Sequence, residues 1–308
     1  MRKQSQIKTG TAVFGSSLIV LSSIFYGSYG IWTRLMGNSF GPFMQSWIRA
    51  LIVIAILLPI ALYTRVWQSI RWRRDKWLLS GFVLVNSFIG PSQYYATTRI
   101  GIGLTLLTLY SGYLLAMFVL GWRFNGERYS ADKRAATVLA GVGLVLTFGS
   151  SLGHAAPFPF FAALIAGIFI GAQMLTVQKL RYNAAQTNIL AWATGMVGTV
   201  PLAFLLHEHA PSLQARAQWG YLLAFVAVCI ASSWLCMHGV KLVEAGAAGI
   251  LGLLEIVWGM LFGILFFHER PAGLVYLGAA CIIAAAAIPY LKGFKKPKQY
   301  EVIEEVPV

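Results

Sequence analysis

The sequence has few charged side chains for its length. Only 11% of its 308 residues are Asp, Glu, Lys or Arg, whereas roughly a quarter of a typical soluble domain is charged. Hydrophobic residues make up 58% of the chain. This shortage of charge excludes an ordinary soluble domain and predicts an integral membrane protein, most of whose surface faces lipid.

Acidic residues are especially scarce. Ten Asp and Glu stand against 24 Lys and Arg, which gives a formal net charge of +14. A nucleic-acid-binding protein would carry such an excess on one face, but here the basic residues form short clusters between apolar runs. This pattern is typical of membrane-protein loops, so a nucleic-acid partner is not expected.

Motifs for cofactors and for common catalytic sites are also missing. The chain has no glycine-rich phosphate loop, no zinc motif and no nucleophile elbow, so we expect no cofactor and no ATP-driven transport by this chain alone. Three cysteines lie inside apolar runs and read as small core residues. The triplet His207-Glu208-His209 lacks further ligands nearby, so we expect no metal site there.

Long apolar segments fill most of the chain. A helix that crosses the hydrocarbon core needs about 20 mostly apolar residues. This rule predicts an all-α membrane protein with ten transmembrane helices, at residues 11–33, 43–64, 77–98, 102–124, 131–148, 158–180, 187–207, 219–238, 245–267 and 271–291.

The basic residues predict the orientation of these helices. Most of them lie in the N-terminal tail, in alternate loops and in the C-terminal tail, whereas only Arg34, Arg99, Arg216 and Arg270 lie on the other side. Because cytoplasmic loops of membrane proteins carry an excess of Lys and Arg, we expect both termini in the cytoplasm and the protein in the cytoplasmic membrane.

An internal repeat divides the chain into two halves. LYSGYLLAMFVLGWRFNGER, which ends at Arg128, aligns with LGLLEIVWGMLFGILFFHER, which ends at Arg270, to within one residue. The spacing from Glu127 to Glu269 also relates Ala136 to Gly278 and Gly143 to Ala285. A slightly longer spacing relates Ile24-Phe25 to Ile168-Phe169. We therefore predict five-helix repeats at 1–150 and 151–291, followed by a charged tail at 292–308.

Five is an odd number of crossings, so the second repeat enters the membrane from the opposite side. Inverted repeats of this kind suit alternating access, because rocking one unit against the other exchanges the open face.

The repeated segments resemble a known family. GLLEIVWGMLFGILFFHERPAGLVYLGAACIIAAAA is similar to the signature of EamA-type drug/metabolite transporters: Leu-Glu-Pro, an apolar run, Gly-Glu-Arg, and a helix opening with Gly-Ala. GWRFNGERYSADKRAATVLAGVGLVLT repeats it in the first half, and QSWIRALIVIAILL places Arg49 at the family's helix-2 arginine. Ile256 stands where the family usually has proline, which leaves open whether the helix is kinked there. The resemblance implies the ten-helix fold and a transport function, for substrates as varied as amino acids, sugars, amines and drugs.

Glu255 is the leading candidate for the functional site, because it is the only carboxylate well inside a predicted span. A charge at mid-bilayer costs about 2.5–3.5 kcal/mol on insertion scales, so the side chain is expected to face the bundle interior. It shares a helix face with Gly252, Gly259 and Gly263. One interpretation is a proton- or cation-binding group, and the alternative is a structural carboxylate capped by hydroxyls or by an arginine.

Arg49 has two interpretations as well. It lies about two turns inside helix 2 and could bind a substrate carboxylate or phosphate, or could instead reach outward or bind carbonyls at a helix end. Helix 3 carries polar residues around the mid-helix Pro91, and aromatic residues lie deep in helices 4, 8 and 9. The predicted substrate-binding residues are Glu255, Tyr110, Tyr113, Gln93, Tyr94, Asn86, Trp234, Trp258 and Arg49, with Glu255 also predicted to couple protons.

These observations predict a secondary transporter, not an enzyme. It would export a small metabolite, such as an amino acid or a related amphipathic compound, and could be driven by protons. The alternatives are an uptake carrier or exchanger of the same fold and a membrane enzyme, although the short loops hold no clustered acid/base or metal residues. The expected partners are the substrate and membrane lipids, and the protein could be a monomer or a homodimer.

The predicted topology can be tested with reporters fused at Val308 and near Ser151. Because five predicted helices lie between Ser151 and Val308, a reporter active only in the cytoplasm should give signal at Val308 and none at Ser151. A reporter active only outside the cytoplasm should give the reverse. Equal cytoplasmic signal at both positions would contradict the ten-helix topology.

Overall fold

A computed structural model describes residues 9–63, 72–126, 130–150, 156–180, 182–212 and 214–291, and this part of the chain is helical, without strands. The helices are α1 (Thr9–Gly27), α2 (Tyr29–Met36), α3 (Pro42–Tyr63), α4 (Trp72–Asn125), α5 (Ala131–Phe148), α6 (Pro157–Lys179), α7 (Ala184–Leu205), α8 (Arg216–Leu242), α9 (Ala245–Gly252), α10 (Leu254–Phe267) and α11 (Gly273–Leu291).

Seven helical stretches of the described chain are long and apolar enough to span a membrane: Gly10–Ser39, Pro42–Tyr63, Asp75–Asn125, Pro157–Lys179, Ala185–Leu205, Arg216–Leu242 and Ala245–Phe267. Helices close all their backbone hydrogen bonds internally, which the lipid interior requires. Each of the ten predicted segments coincides with a helix, a helix pair or part of a helix. The all-helical membrane fold is thus confirmed, whereas ten crossings stay a prediction, because α5 and α11 are not among the seven stretches.

The long helix α4 is interrupted at Gly101 by a non-helical backbone conformation. A straight helix of its 54 residues would be about 80 Å long, far more than the roughly 30 Å of a hydrocarbon core. Gly101 has φ 77° and ψ 166°, a conformation that strongly favours glycine. The two limbs of α4 on either side of Gly101 correspond to the predicted helices 3 and 4.

Two predicted helices are interrupted in the structure. The first divides at Ser28 into α1 and α2, and the ninth divides at Leu253 into α9 and α10. Around Leu253 the backbone tightens to i→i−3 hydrogen bonds, from Leu253 to Ile250 and from Ile256 to Leu253. The helix is therefore irregular here although position 256 is isoleucine and not proline. Short stretches of this kind often mark hinges.

Glycines allow the helices to pack with their backbones in contact. A Cβ added at Gly167 in α6 would overlap the carbonyl oxygen of Leu109 in α4, and one at Gly198 in α7 would overlap that of Ser87. Close backbone packing at small residues is how membrane helices associate, because lipid leaves little hydrophobic drive between them. The resulting pairs are α4 with α6, α1 with α8 and α10, α3 with α7, and α5 with α11.

The connection between α7 and α8 reaches across to the first half of the chain. Glu208 Oε2 accepts a hydrogen bond of 2.7 Å from the backbone N–H of Met44, in the first turn of α3. The N–H of Gly41 donates to the carbonyl of His209. The carboxylate of Glu208 therefore caps the N-terminus of α3, where free N–H groups and the helix dipole favour negative charge.

Replacing Gly167 with alanine tests the contact between α4 and α6. Overpacking of a tight site costs about 1–3 kcal/mol, so Gly167→Ala should lower the midpoint of thermal unfolding in detergent by several degrees. Gly141→Ala is the matched control in α5, because nothing lies within 4 Å of its added Cβ. Equal midpoints for the two variants would contradict the backbone contact at Gly167.

Candidate functional site

A cavity of about 1000 Å³ lies inside the helix bundle. Its walls come from α1, α2, α4, α5, α6 and α8 to α11, so both halves of the chain contribute. This volume is at the upper end of the range for small-molecule sites. The polar and aromatic side chains in its lining are Ser22, Ser23, Tyr26, Tyr29, Gln93, Tyr110, Tyr113, Thr147, Phe148, Gln173, Glu255, Glu269 and Arg270.

Glu255 lines this cavity from the first turn of α10. The hydroxyl of Tyr110 in α4 donates a hydrogen bond of 2.5 Å to its Oε1 atom. The N-terminal end of a helix segment also favours a negative charge. Glu255 is thus held between the two halves of the chain by one hydroxyl partner, with the cavity beside it.

The backbone around Glu255 is positioned by α1. A Cβ added at Gly27 would lie 2.9 Å from the carbonyl oxygen of Glu255 and 2.6 Å from Cβ of Trp258, so only glycine allows this approach. On the opposite wall, a Cβ at Gly252 would lie 3.0 Å from the hydroxyl of Tyr113. Gly27 therefore brings α1 against the backbone at Glu255, and Gly252 in α9 brings the hydroxyl of Tyr113 close to the same segment.

Four of the nine predicted site residues line the cavity. Glu255, Tyr110, Tyr113 and Gln93 share it, on α10 and on both limbs of α4. The other five are not in the lining. Tyr94 packs edge-on against Phe43 with ring centroids 4.4 Å apart. Trp234 stacks with His238, and Trp258 lies beside Phe262.

Arg49 lies among aromatic rings outside the cavity. Its guanidinium carbon is 4.4 Å from the centroid of Phe225 and 5.8 Å from that of Trp192. A guanidinium stacks well on aromatic faces, which supports the structural interpretation of this arginine over substrate contact. Tyr29, which packs edge-on against Phe225, stands between this cluster and the cavity.

Asn86 does not line the cavity but is bonded to Gln173, which does. Gln173 was not among the residues predicted from the sequence. Gln173 Nε2 in α6 donates a hydrogen bond of 2.6 Å to Asn86 Oδ1, and Gln173 itself lines the cavity. Both side chains are 8% exposed. A polar side chain within the apolar run of α6 was the available signal, because such residues are seldom buried without a partner.

Different polar contacts join the helices at the two ends of the bundle. At the end where α2 and α10 finish, Arg34 forms an ion pair with Glu269, and its guanidinium lies 4.7 Å from the centroid of Phe267. This pair is partly exposed, with side chains 54% and 38% accessible. Glu269 and Arg270 also line the cavity, which therefore extends toward this end.

At the opposite end the contacts are more numerous. Asn125 Nδ2 donates to Gln178 Oε1 at 2.7 Å, and Gln178 Nε2 donates to the carbonyls of Val240 and Val243 at 2.9 and 3.1 Å. Lys133 pairs with Glu244 beside them. The hydrogen bonds join the ends of α4, α6 and α8, and the ion pair joins the starts of α5 and α9.

Comparison with known proteins agrees with this fold. The EamA-like transporter family matches residues 13–149 and 158–291, which is most of the chain. The family match and the apolar helices define a multi-pass membrane transporter. The chain belongs to the EamA-like transporter family.

Two relatives carry the name "Uncharacterized transporter". One, from Helicobacter pylori strain 26695, is 24% identical over 305 residues, covering 93% of this chain and 99% of its own length. The other, from Archaeoglobus fulgidus, is 23% identical over 290 residues, covering 90% and 96%. A crystal structure of another protein matches the fold with a TM-score of 0.71 at 17% identity, covering 90% of this chain and 96% of its own.

Proposed function

We propose that this protein is a secondary transporter that exports a small metabolite, an amino acid or a related amphipathic compound, across the cytoplasmic membrane. Glu255 would bind and release a proton or hold a cationic group of the substrate. The observation that carries this proposal is the cavity itself, which places one carboxylate and its tyrosine partner on a wall shared by both halves of the chain. Intramembrane carboxylates in such positions commonly serve ion or substrate pathways.

The packing of the helices supports an inverted repeat of residues 1–150 and 151–291. Each predicted helix of the first repeat can be exchanged with the helix at the same place in the second repeat. Every main helix contact is then replaced by another contact that is also present in the structure. The contact of α6 with α4 exchanges with that of α1 with α8 and α10, whereas α3 with α7 and α5 with α11 exchange with themselves. The small residues Ala136, Gly143, Gly278 and Ala285, paired by the repeat, are all buried.

The repeat also relates the contacts at the two ends. The spacing that separates Ile24 from Ile168 separates Arg34 from Gln178, so these residues hold equivalent positions in the two halves. Arg34 contacts the end of α10, and Gln178 contacts the end of the second limb of α4. In a transporter that alternates between two open faces, these two contacts would open in turn.

The role of Glu255 is tested by Glu255→Gln, which keeps the shape of the side chain and removes its charge. Metabolite profiling of overexpressing cells supplies compounds for flux in proteoliposomes. If Glu255 couples protons, the variant should lose proton-driven counterflow by tenfold or more while its thermal stability stays near wild type. If the carboxylate is only structural, the variant should be less stable as well, by about 1–2 kcal/mol, because the amide oxygen still accepts from Tyr110 but the hydrogen bond no longer involves a charge.

Glu208→Gln is the matched control, since it changes a carboxylate outside the cavity and keeps an acceptor for the N–H of Met44. It should transport with the wild-type pH dependence. A stable Glu255→Gln variant with wild-type flux and wild-type pH dependence would rule out both roles. The sign of the gradient that drives flux distinguishes export from uptake or exchange.

Alternating opening is tested by cross-linking each end contact. In a background with its native cysteines replaced, Arg34→Cys with Glu269→Cys, or Asn125→Cys with Gln178→Cys, would be joined by a short bis-maleimide. Either cross-link should reduce flux at least tenfold, because one face can then no longer open, while each single variant treated in the same way should keep its flux. Full flux through a cross-linked pair would show that this end does not need to open.

A further inference from the structure

We propose that Gln173 presents its side-chain carbonyl oxygen to the cavity as a fixed acceptor for an N–H donor of the substrate, and that Asn86 is the positioning residue that fixes it. This inference rests on the proposed function, because it assigns a substrate contact within the same cavity. The contact would select substrates that carry a primary ammonium group or another cation with an N–H.

The orientation of the Asn86 amide follows from its partners on α7. Its Nδ2 atom donates to the backbone carbonyl of Ala191, which can only accept. The same nitrogen donates to Thr194 Oγ1 at 2.6 Å, and that hydroxyl donates its own hydrogen to the carbonyl of Leu190 at 2.8 Å. Exchanging the oxygen and nitrogen of Asn86 would place two acceptors against each other, so its Oδ1 atom must point to Gln173.

The orientation of Gln173 follows in the same way. Asn86 Oδ1 needs a donor, and Gln173 Nε2 supplies it at 2.6 Å. The Oε1 atom of Gln173 then lies on the other branch of the amide. Among the described residues no donor forms a hydrogen bond with this oxygen, and the side chain that carries it lines the cavity. Because this oxygen is not among the fully buried polar atoms and its side chain lines the cavity, it is available to accept from a donor bound there.

The polar cluster around Asn86 is rigid enough to hold this oxygen in place. Asn86, Thr194 and Gln173 are each at most 8% exposed. Ser87 adds a hydrogen bond of 3.1 Å from its hydroxyl to the carbonyl of Thr194. The cluster joins α4, α6 and α7 by side-chain hydrogen bonds, which fixes the rotamer of Gln173 before any substrate arrives.

The charge of the cavity indicates which donor it receives. The charged residues in its lining are Glu255, Glu269 and Arg270, and Glu269 is already paired with Arg34. Glu255 accepts a hydrogen bond from the neutral hydroxyl of Tyr110, and tyrosine rings line the cavity as well, so the site combines a carboxylate with aromatic surfaces. This combination attracts organic cations. A quaternary ammonium would satisfy the carboxylate and the rings but has no N–H for Gln173, whereas a primary ammonium would satisfy all of them.

The test compares two probes of equal charge. Phenethylamine carries three N–H donors when protonated, and its N,N,N-trimethyl analogue carries none. Their dissociation constants would be measured by the tryptophan fluorescence of the purified full-length protein in detergent. Wild type should prefer the primary amine. Gln173→Met, which keeps the length of the side chain, should reduce that preference about tenfold, the effect of one lost hydrogen bond to a charged group.

Asn86→Leu should reduce the preference as well, because it releases the Gln173 amide without touching the probe. Gln45→Met is the control for the substitution, since Gln45 in α3 does not line the cavity, and it should keep the wild-type preference. If Gln173→Met alone does not fold, the double variant Asn86→Leu/Gln173→Met removes both partners of the bond and gives the same readout.

An unchanged preference in Gln173→Met and in the double variant would overturn this inference while leaving the proposed function intact. Failure of both probes to bind wild type would overturn the proposed cation site in this cavity and this inference with it. A preference lost on Gln173→Met but kept on Asn86→Leu would overturn the positioning role of Asn86.

Discussion

Backbone contact between helices is the constraint on which this structure depends. In lipid the apolar side chains gain little by leaving one apolar surface for another, so helices associate through close packing and a few polar bonds. Gly167 against Leu109 and Gly198 against Ser87 bring α4 against α6 and α7 closely enough for such bonds to form. The hydrogen bonds from Asn86 to α7 and from Gln173 to Asn86 exist because the backbones approach there.

The same close packing accounts for the position of the cavity. Gly27 lets α1 reach α10 beside Glu255, and Gly252 accommodates the hydroxyl of Tyr113. The helices are in contact where a glycine of one faces the backbone or a side chain of another. Between these contacts lies the cavity, lined by tyrosines, serines and the carboxylates of Glu255 and Glu269. A polar site inside a membrane is tolerated because its groups have partners, as Glu255 has in Tyr110.

The two ends of the bundle differ in chemistry although the repeat places equivalent residues there. Arg34 forms a partly exposed ion pair with Glu269, and such pairs contribute about 0–1 kcal/mol when solvated. Gln178 binds one side chain and two backbone carbonyls, and Lys133 pairs with Glu244 beside it. In the proposed cycle the end at Arg34 would therefore open more easily than the end at Gln178, and bound substrate would change that balance.

The sequence predicted most of the helices and the central carboxylate. A stretch of 20 apolar residues in lipid has few alternatives to a helix, so α3, α6, α7 and α8 were found near their observed bounds. Glu255 was found by its rarity, since a lone carboxylate in an apolar segment has to face other helices. Internal similarity between the segments ending at Arg128 and Arg270 predicted the repeat, which the family match at residues 13–149 and 158–291 parallels.

Only the tertiary structure decided which polar side chains face the cavity. Asn86 and Gln93 lie on one limb of α4, yet Gln93 lines the cavity whereas Asn86 bonds α7 and reaches the cavity only through Gln173. Arg49 packs on Phe225 and Trp192, and Glu208 caps α3 from the other half of the chain. Helical periodicity in the sequence predicts which residues share a helix face. Which neighbour that face meets depends on the rotation of each helix about its axis, and backbone contacts between distant segments set that rotation.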